Sequence, residues 1–387
     1  MGGCRPSALA GGERVLVALS RILITVPSLS REFGGPVVKA QGLAAALRTL
    51  GHPVTVIGVG SAPGCQGLPQ LARFHSTPVP ARLNALARSV RAAQVVHTLG
   101  FRDPVGIAAA LMAHRSRLPY LLEPSGMHRR RLHSLGLKTV FDRLLGARMV
   151  AGASMIVATS KLEANELQED GVLPERIHLR PNGIEVEGLL PLPTRGALRR
   201  KLNFPPDVPV VLSLGRITAK KGLLDFARAL ARLSGIRGIV AGPDDGDGTL
   251  DRLLSERASL HLTERLAVLP EGLWGSDRAQ AFADADAFCL PSATENFGNA
   301  AFEAAAVGLP VVISDACGAA EWLEPEGTRV VPYANIQLLS EALRDVLENG
   351  NIRGASEAAA PRIREALSWQ AVARRQHEIY EGLLALR

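Results

Sequence analysis

The chain has 387 residues, of which 47% are hydrophobic, 21% are charged and 4% are aromatic, and its formal net charge is +7. This composition is typical of a globular protein, and the length predicts two domains that each bury a core. No run of about 18 uninterrupted apolar residues occurs, so we expect no membrane-spanning helix. We also expect no nucleic-acid partner, because no aromatic-rich basic platform or nucleic-acid motif accompanies the positive charge.

The N-terminus and the cysteines indicate a protein of the reducing cytoplasm. Residues 1–20 lack an apolar stretch followed by a cleavage site, and we expect them to form an extension before the first strand. Cys4, Cys65, Cys289 and Cys317 show no paired spacing, which argues against a disulfide framework and a zinc site. Cys289 lies in an apolar run and is expected in the core.

In the first half of the chain, short apolar runs alternate with segments of helical period. The predicted strands are residues 21–26, 54–59, 95–98, 120–123 and 154–159. The predicted helices are residues 36–50, 104–116, 130–152 and 160–170. Strands that alternate with helices favour crossover connections, so this pattern predicts a parallel, doubly wound sheet.

Two features of this half lie where ligands bind in such sheets. Gly34 and Gly35 stand between the first strand and the first helix, where glycine lets the backbone approach a ligand closely. The turn is not G-x-G-x-x-G, and no acidic residue about 20 positions on completes a dinucleotide fingerprint. His97 ends a strand, and ligands bind beyond the carboxyl ends of strands. The alternative for His97 is a buried histidine with satisfied polar atoms.

A basic run begins just before the predicted helix 130–152 and continues into it. Its cationic residues are Arg129, Arg130, Arg131, His133, Lys138, Arg143 and Arg148. A solvated helix face is the ordinary explanation of such a run. The alternative is attraction to anionic lipid headgroups or to a pyrophosphate-linked acceptor, which leaves open a peripheral contact with the inner face of the membrane.

The second half begins after a segment rich in proline. Six prolines interrupt residues 181–209, and we place a domain boundary near residue 185. A second alternating block then predicts strands at 210–214, 236–241, 266–269, 287–290 and 310–314, and the chain ends in a predicted helix from residue 369.

Basic residues follow the first strand of this second block. Gly215-Arg216 comes directly after the strand, and Lys220-Lys221-Gly222 opens the next helix. An arginine binds a diphosphate bidentately, and a lysine five residues later adds a point charge. The alternative is a pair of solvated basic residues that flank a loop.

Two glutamates enclose the most informative motif. Glu295 and Glu303 are separated by seven residues, and Phe297-Gly298-Asn299 lies between them. A strand, a glycine turn and a helix N-terminus form an anion site, because free N–H groups and the helix dipole favour negative charge. Carboxylates repel phosphate, so we expect the glutamates to hold sugar and ribose hydroxyls. The alternative is an amphipathic core helix with two surface acids.

These motifs resemble the signature of the family 4 glycosyltransferases, which are retaining, use nucleotide sugars and have the GT-B fold. Pro181-Asn182-Gly183-Ile184 is similar to an element at the hinge of many members. The resemblance implies two Rossmann-like, doubly wound domains that face a central cleft. Residues 21–185 would bind the acceptor and residues 186–366 the nucleotide sugar, and the helix 367–387 would cross back to the first domain.

The resemblance also implies roles for single residues. Arg216 and Lys221 would stabilise the departing diphosphate, and Glu295 would contact the donor sugar. Glu303 would hold the ribose. The other implied donor-binding residues are Gly34, Gly35, Gly215, Phe297, Gly298 and Asn299.

The segment Pro124-Ser125-Gly126-Met127 departs from the family pattern. It resembles the family's Pro-x-Gly-Met, but some members have a histidine directly before the glycine, where this chain has Ser125. We therefore consider Ser125 only as a sugar contact, with His97 as a second residue for the cleft or the acceptor.

The implied function is transfer of a hexose-type sugar from a nucleotide-diphosphate sugar to a saccharide or lipid-linked acceptor, in polysaccharide biosynthesis. The implied donor carries UDP or GDP, and neither a cofactor nor a metal is expected, because cationic side chains and a helix N-terminus supply the positive charge. Three alternatives stay open: a non-catalytic nucleotide-sugar-binding protein, a GT-B nucleotide-sugar epimerase and a Rossmann oxidoreductase.

Overall fold

A computed structural model describes residues 20–30, 35–60, 65–68, 79–127, 145–186, 188–323 and 325–385. Within these ranges the chain forms two parallel sheets, and each sheet has a hydrophobic core on both of its faces. Most of the predicted N-terminal extension, Gly34 and the basic residues between 129 and 143 lie outside the described residues.

The first sheet contains seven strands in the order β3-β2-β1-β4-β5-β6-β7. They are β1 (Ile22–Ser28), β2 (Val54–Val59), β3 (Gln66–Leu68), β4 (Val95–Leu99), β5 (Tyr120–Glu123), β6 (Met155–Ala158) and β7 (Ile177–Leu179). The central strands β4, β5 and β6 are buried along their whole length, as expected of a parallel sheet with helices on both faces.

Five described helices accompany this sheet. They are α1 (Gly35–Thr49), α2 (Val79–Ala92), α3 (Pro104–Arg115), α4 (Ala147–Gly152) and α5 (Lys161–Glu169). Asp103 caps α3 and Ser160 caps α5, each accepting from a backbone N–H three residues on, which satisfies a donor that the helix itself cannot.

The second sheet contains six strands in the order β10-β9-β8-β11-β12-β13. They are β8 (Val210–Leu214), β9 (Arg237–Ala241), β10 (Leu266–Leu269), β11 (Ala287–Leu290), β12 (Val311–Ser314) and β13 (Thr328–Val331). The strand order reverses between β8 and β11, and ligands of open α/β sheets bind beyond the carboxyl ends of strands at such a point.

Eight further helices follow the first sheet in the chain. They are α6 (Ala197–Lys201), α7 (Leu223–Ala231), α8 (Thr249–Ser259), α9 (Gly275–Asp284), α10 (Asn299–Ala306), α11 (Ile336–Glu348), α12 (Gly350–Ala366) and α13 (Trp369–Ala385).

The parallel, doubly wound architecture predicted from the alternation of strands and helices is confirmed. Five strands have the predicted bounds, among them β5 and β11, whose apolar residues are contiguous. Three strands were missed, namely β3, β7 and β13. β3 and β7 have only three residues each, too few to show a period, and all three lie at the edges of their sheets.

The last helix packs against the first domain. Val372, Ala373, Tyr380 and Leu383 of α13 belong to one hydrophobic core with α1 and β1. The indole of Trp369 lies against α1 so closely that a Cβ at Gly42 would overlap it, and a Cβ at Gly183 would overlap it as well. Glycine at these positions therefore lets the returning helix dock beside the segment that joins the two domains.

Gly42→Ala is expected to destabilise the protein, although alanine is the better helix former. The added methyl group would meet the Trp369 ring, and overpacking of this kind costs about 1–3 kcal/mol. Gly354→Ala in α12 is the matched control, because its Cβ would enter open space, and it should add up to about 1 kcal/mol of stability. Thermal unfolding of both variants checks this, and an equal gain in both would contradict the described packing of α13.

Candidate functional site

The carboxyl end of β8 carries the first cationic part of the site. Gly215 has φ +151° and Gly222 has φ +66°, conformations that favour glycine, and a Cβ at Gly222 would overlap the carbonyl oxygen of Pro291. Between them, Lys221 turns its side chain back over Gly215, whose Cβ position lies 3.4 Å from Nζ. The Lys221 ammonium donates to the Glu295 carboxylate. The two motifs found separately in the sequence therefore meet in space.

The backbone of Glu295 is held from both sides. Its N–H donates to the carbonyl of Ala316 at 3.0 Å, and its carbonyl accepts from the N–H of Gly318 at 2.9 Å. Burial acts to raise the pKa of Glu295, but Lys221 and the N–H of Gly298 outweigh it, so the pKa lies below the ordinary value. Glu295 is therefore an ionised carboxylate in a partly buried position, with its side chain 20% exposed.

Arg216 extends from the same turn toward solvent. Its guanidinium donates to Asp245 at 2.7 Å and is 56% exposed, so it is held at only one end. Lys220 lies close by, and burial, followed by repulsion from Arg216, lowers the pKa of its ammonium. Arg216, Lys220 and Lys221 thus concentrate positive charge beyond the end of β8, opposite Glu295 and Asp245.

The turn 297–299 supplies backbone donors. The Phe297 ring is buried and stacks on Phe302 with centroids 4.3 Å apart, which anchors the turn to the core. Gly298 has φ +86° and directly precedes α10, which starts at Asn299. The first N–H groups of a helix have no acceptor within it, and the helix dipole adds partial positive charge there. This end of α10 therefore favours an anion or the oxygen atoms of a sugar.

Glu303 lies in the second turn of α10 and contacts Arg278 of α9 through an ion pair. Burial raises the pKa of Glu303, and Arg278 opposes this shift. Arg278 was missed in the sequence, where it is one of many arginines in an amphipathic helix and carries no motif.

The first domain contributes the opposite wall. A Cβ at Gly35 would lie 3.9 Å from the side-chain nitrogen of Asn299, and Asn182 donates to the Asn299 side chain at 3.4 Å. Ser125 lies in a left-handed turn, with φ 53°, and accepts from Lys39 at 3.0 Å. The predicted residues Gly35, Ser125 and Asn299 are thereby anchored on both sides of one cleft, whereas Gly34 lies outside the described residues.

His97 does not face this cleft. Its ring is fully buried, with Nδ1 2.7 Å from the hydroxyl of Tyr380 and Nε2 3.2 Å from the Glu123 carboxylate. The interpretation of His97 as a cleft or acceptor residue is therefore corrected to that of a satisfied buried histidine. Both faces of this parallel sheet are covered, so the side chains of a central strand such as β4 lie in a core on either face.

Glu123 is the centre of a buried cluster that the sequence did not reveal. Its carboxylate accepts from Lys39 at 2.5 Å and from Arg180 at 2.5 Å, in addition to its contact with His97. Burial acts to raise the pKa of Glu123, but Arg180 and Lys39 hold it well below the ordinary value. The sequence shows only a charged residue at the end of an apolar strand. It does not show which distant residues will pair with that charge.

The described part of the chain shows neither a metal-ligand cluster nor a membrane span. Among the described residues there is no cluster of three or more His, Cys, Asp or Glu side chains that could hold a metal ion. No helix within the described ranges is long and apolar enough to cross a membrane. Cys289 lies fully buried in β11, as expected.

Comparison with known families and proteins gives consistent matches. Residues 194–363 match the model described as glycosyl transferases group 1, and residues 34–183 match the glycosyl transferase 4-like domain. A D-inositol 3-phosphate glycosyltransferase of Kineococcus radiotolerans is 31% identical over 262 residues. That match covers 62% of this chain and 59% of the relative, so the chain spans about three fifths of that relative's length.

Solved structures extend the likeness to the whole fold. A glycosyltransferase from Rickettsia africae has a TM-score of 0.75 at 20% identity, over 95% of this chain and 99% of that structure. The Anabaena protein HepE, in complex with UDP and glucose, has a TM-score of 0.75 at 16% identity, over 94% of this chain and the whole of that structure. These likenesses confirm the expected fold, in which two Rossmann-like domains face each other.

His97→Asn tests the interior position of this histidine. Burial lowers the pKa of His97, so below about pH 6.5 the unfolded chain binds a proton that the folded chain does not. Stability is therefore lost as the pH falls through this window, by up to about 1.4 kcal/mol per pH unit for this one group. We expect the variant to show a flatter pH dependence of its free energy of unfolding, measured in urea between about pH 6.5 and 5.

The control is His261→Asn, which changes an exposed histidine on a turn. A pH dependence of unfolding that is the same in wild type and His97→Asn would contradict the buried, neutral histidine.

Proposed function

Because this chain belongs to the group 1 glycosyl transferases, we propose that it is a retaining glycosyltransferase. It moves a hexose-type sugar from a UDP- or GDP-linked donor to a saccharide or lipid-linked acceptor, in the assembly of a cell-surface polysaccharide. The observation that carries the proposal is the meeting of Lys221, Glu295 and the N-terminus of α10 beyond the ends of β8 and β11. The cation there suits the diphosphate, the carboxylate suits the sugar hydroxyls, and the free N–H groups suit the oxygen atoms of the sugar and the phosphate.

The second domain holds the donor. Lys221 and the more exposed Arg216 bind the diphosphate, with Arg216 turning from Asp245 to a phosphate. Glu303 accepts from the ribose hydroxyls in place of Arg278, and Glu295 accepts from hydroxyls of the sugar. The UDP and glucose bound by the Anabaena protein support a donor of this class.

The reaction proceeds on one face of the sugar. The bond between the anomeric carbon and the diphosphate oxygen breaks, and the acceptor hydroxyl forms its bond to that carbon on the same side. The leaving diphosphate takes the proton of the hydroxyl, so no enzymic nucleophile is needed. The positive charge of the sugar in the transition state lies near the ionised Glu295, and Arg216 and Lys221 stabilise the leaving group without a metal ion.

The first domain faces the acceptor. Gly35 and Ser125 line this side of the cleft, and Ser125 takes the position of the histidine that some members of the family have. The basic run at residues 129–148 supports a peripheral contact with the anionic inner face of a membrane, where a lipid-linked acceptor would be found.

Thermal unfolding with UDP, GDP, ADP and NAD tests the donor site first. A ligand at about 100 times its dissociation constant stabilises the folded state by about 2.7 kcal/mol, which shifts the unfolding temperature measurably. We expect a shift with UDP or GDP. A shift with NAD alone would favour an oxidoreductase, and the absence of any shift would contradict the proposal.

Arg216→Ala is expected to lower kcat/KM for sugar transfer by roughly 100-fold, the usual loss when one charged contact to a transition state is removed. Glu303→Ala is expected to lower it by roughly tenfold or more, because the hydrogen bonds of a charged group to the ribose are lost. Arg232→Ala and Glu264→Ala, which change exposed residues of the same domain, are the matched controls. Transfer is measured as release of the nucleoside diphosphate in the presence of acceptor. Near-normal turnover in either site variant would refute its assigned role.

A further inference from the structure

The carboxylate of Glu163 lies buried where the two domains meet and accepts hydrogen bonds from both. Oε1 accepts from the N–H of Gly126 at 2.6 Å. Oε2 accepts from the N–H of Thr159 at 2.9 Å, from the Thr159 hydroxyl at 3.2 Å and from the side-chain amide of Asn296 at 3.1 Å. Glu163 is 1% exposed, so water does not replace these donors.

Asn296 enters this position from the second domain and fits it closely. Its amide also donates to the Thr159 hydroxyl at 2.6 Å. A Cβ at Gly126 would lie 2.7 Å from Cβ of Asn296, and a Cβ at Gly318 would overlap the Asn296 carbonyl. Glycine on both sides therefore lets the asparagine reach Glu163, and the contact is specific in shape as well as in hydrogen bonding.

A second pair of contacts joins the domains at the same segment. The Glu321 carboxylate accepts from the N–H of Lys161 at the start of α5, and the indole N–H of Trp322 donates to the carbonyl of Thr159 at 3.1 Å. Residues 159–163 are thus bound by two separate parts of the second domain. A chance contact of one side chain therefore does not explain why the domains meet at this segment.

We propose that Glu163 is a positioning residue and that its hydrogen bond with Asn296 is a latch between the domains. Asn296 directly follows Glu295, and Gly126 directly follows Ser125, so one carboxylate sets the place of both walls of the cleft. The latch is closed when the hydrogen bond between Glu163 and Asn296 is formed, and Glu295 then faces the first domain. It is open when the domains separate and this bond is broken. The consequence for transfer rests on the proposed function, whereas the consequence for domain separation does not.

An ordinary role in capping α5 accounts for only part of this geometry. The Ser160 hydroxyl accepts from the N–H of Glu163 at 3.1 Å, and Glu163 accepts from Thr159, which together close the start of the helix. Capping needs neither Gly126 nor Asn296. Substitutions of Asn296 leave these capping bonds in place and therefore separate the latch from the stability of the helix.

The test compares Asn296→Ala and Asn296→Asp with wild type by small-angle X-ray scattering without ligand. The alanine removes both donated hydrogen bonds, and the aspartate places a second carboxylate against Glu163, whose repulsion in a buried site is stronger still. We expect the radius of gyration to increase from wild type to Asn296→Ala and further to Asn296→Asp. Glu169→Gln, at the exposed end of α5, is the control and should match wild type.

Kinetics provides the readout that a merely structural role would not give. The residues assigned to the diphosphate, Arg216 and Lys221, are unchanged, so affinity for UDP or GDP should stay within about twofold of wild type. The value of kcat/KM for transfer should fall roughly tenfold, which corresponds to about 1.4 kcal/mol, because the lost hydrogen bond to Glu163 no longer holds the two walls of the cleft in place. Glu163→Gln combined with Asn296→Ala should lose less than the sum of the single losses, because both changes remove the same contact.

Three results would overturn the latch: unchanged scattering in Asn296→Asp, an equal loss of nucleoside diphosphate affinity, or additive losses in the double variant. Failure of the proposed function looks different. It would appear as absence of transfer by the wild type with every donor, and the scattering series would still decide whether the latch exists.

Discussion

The buried carboxylate of Glu123 is the interaction on which much of the first domain depends. It binds Lys39 of α1, Arg180 of the segment that joins the domains, and His97 of β4, which in turn contacts Tyr380 of the last helix. Breaking a buried ion pair on one side leaves an uncompensated charge and costs about 3–5 kcal/mol. These elements, far apart in the chain, are therefore held in one arrangement, and the turn that carries Ser125 begins two residues after Glu123.

The two walls of the cleft differ in their charge and in how their residues are held. On the side of the second domain, the charged groups of Lys221 and Glu295 compensate each other and lie beside a helix N-terminus, all at the carboxyl ends of adjacent strands. On the side of the first domain, Ser125 and Gly126 have little charge of their own and are held by the buried groups of Lys39 and Glu163. A charged wall thus faces a more neutral one, and this difference supports the proposal that the second domain binds the diphosphate and the first domain the acceptor hydroxyl.

Much of this arrangement was predictable, and the exceptions have physical causes. Strands such as β5 and β11 were found at their true bounds, because a fully buried parallel strand is close to a contiguous apolar run. The short edge strands carry no such run. His97 was assigned to the cleft because it ends a strand, but that argument gives only its position along the strand and not the face of the sheet to which its ring turns.

The sequence by itself determined the architecture and the turn from Glu295 to α10, because strand, glycine turn and helix N-terminus follow one another within about ten residues. That Lys221 meets Glu295 across 74 positions was not determined locally. The tertiary structure alone decided the rest. Glu163 and Asn296 are 133 positions apart, and Glu123 and Arg180 are 57 apart. Their contacts depend on how sheets and helices pack across two domains, and no local pattern of residues encodes which distant side chain will be opposite.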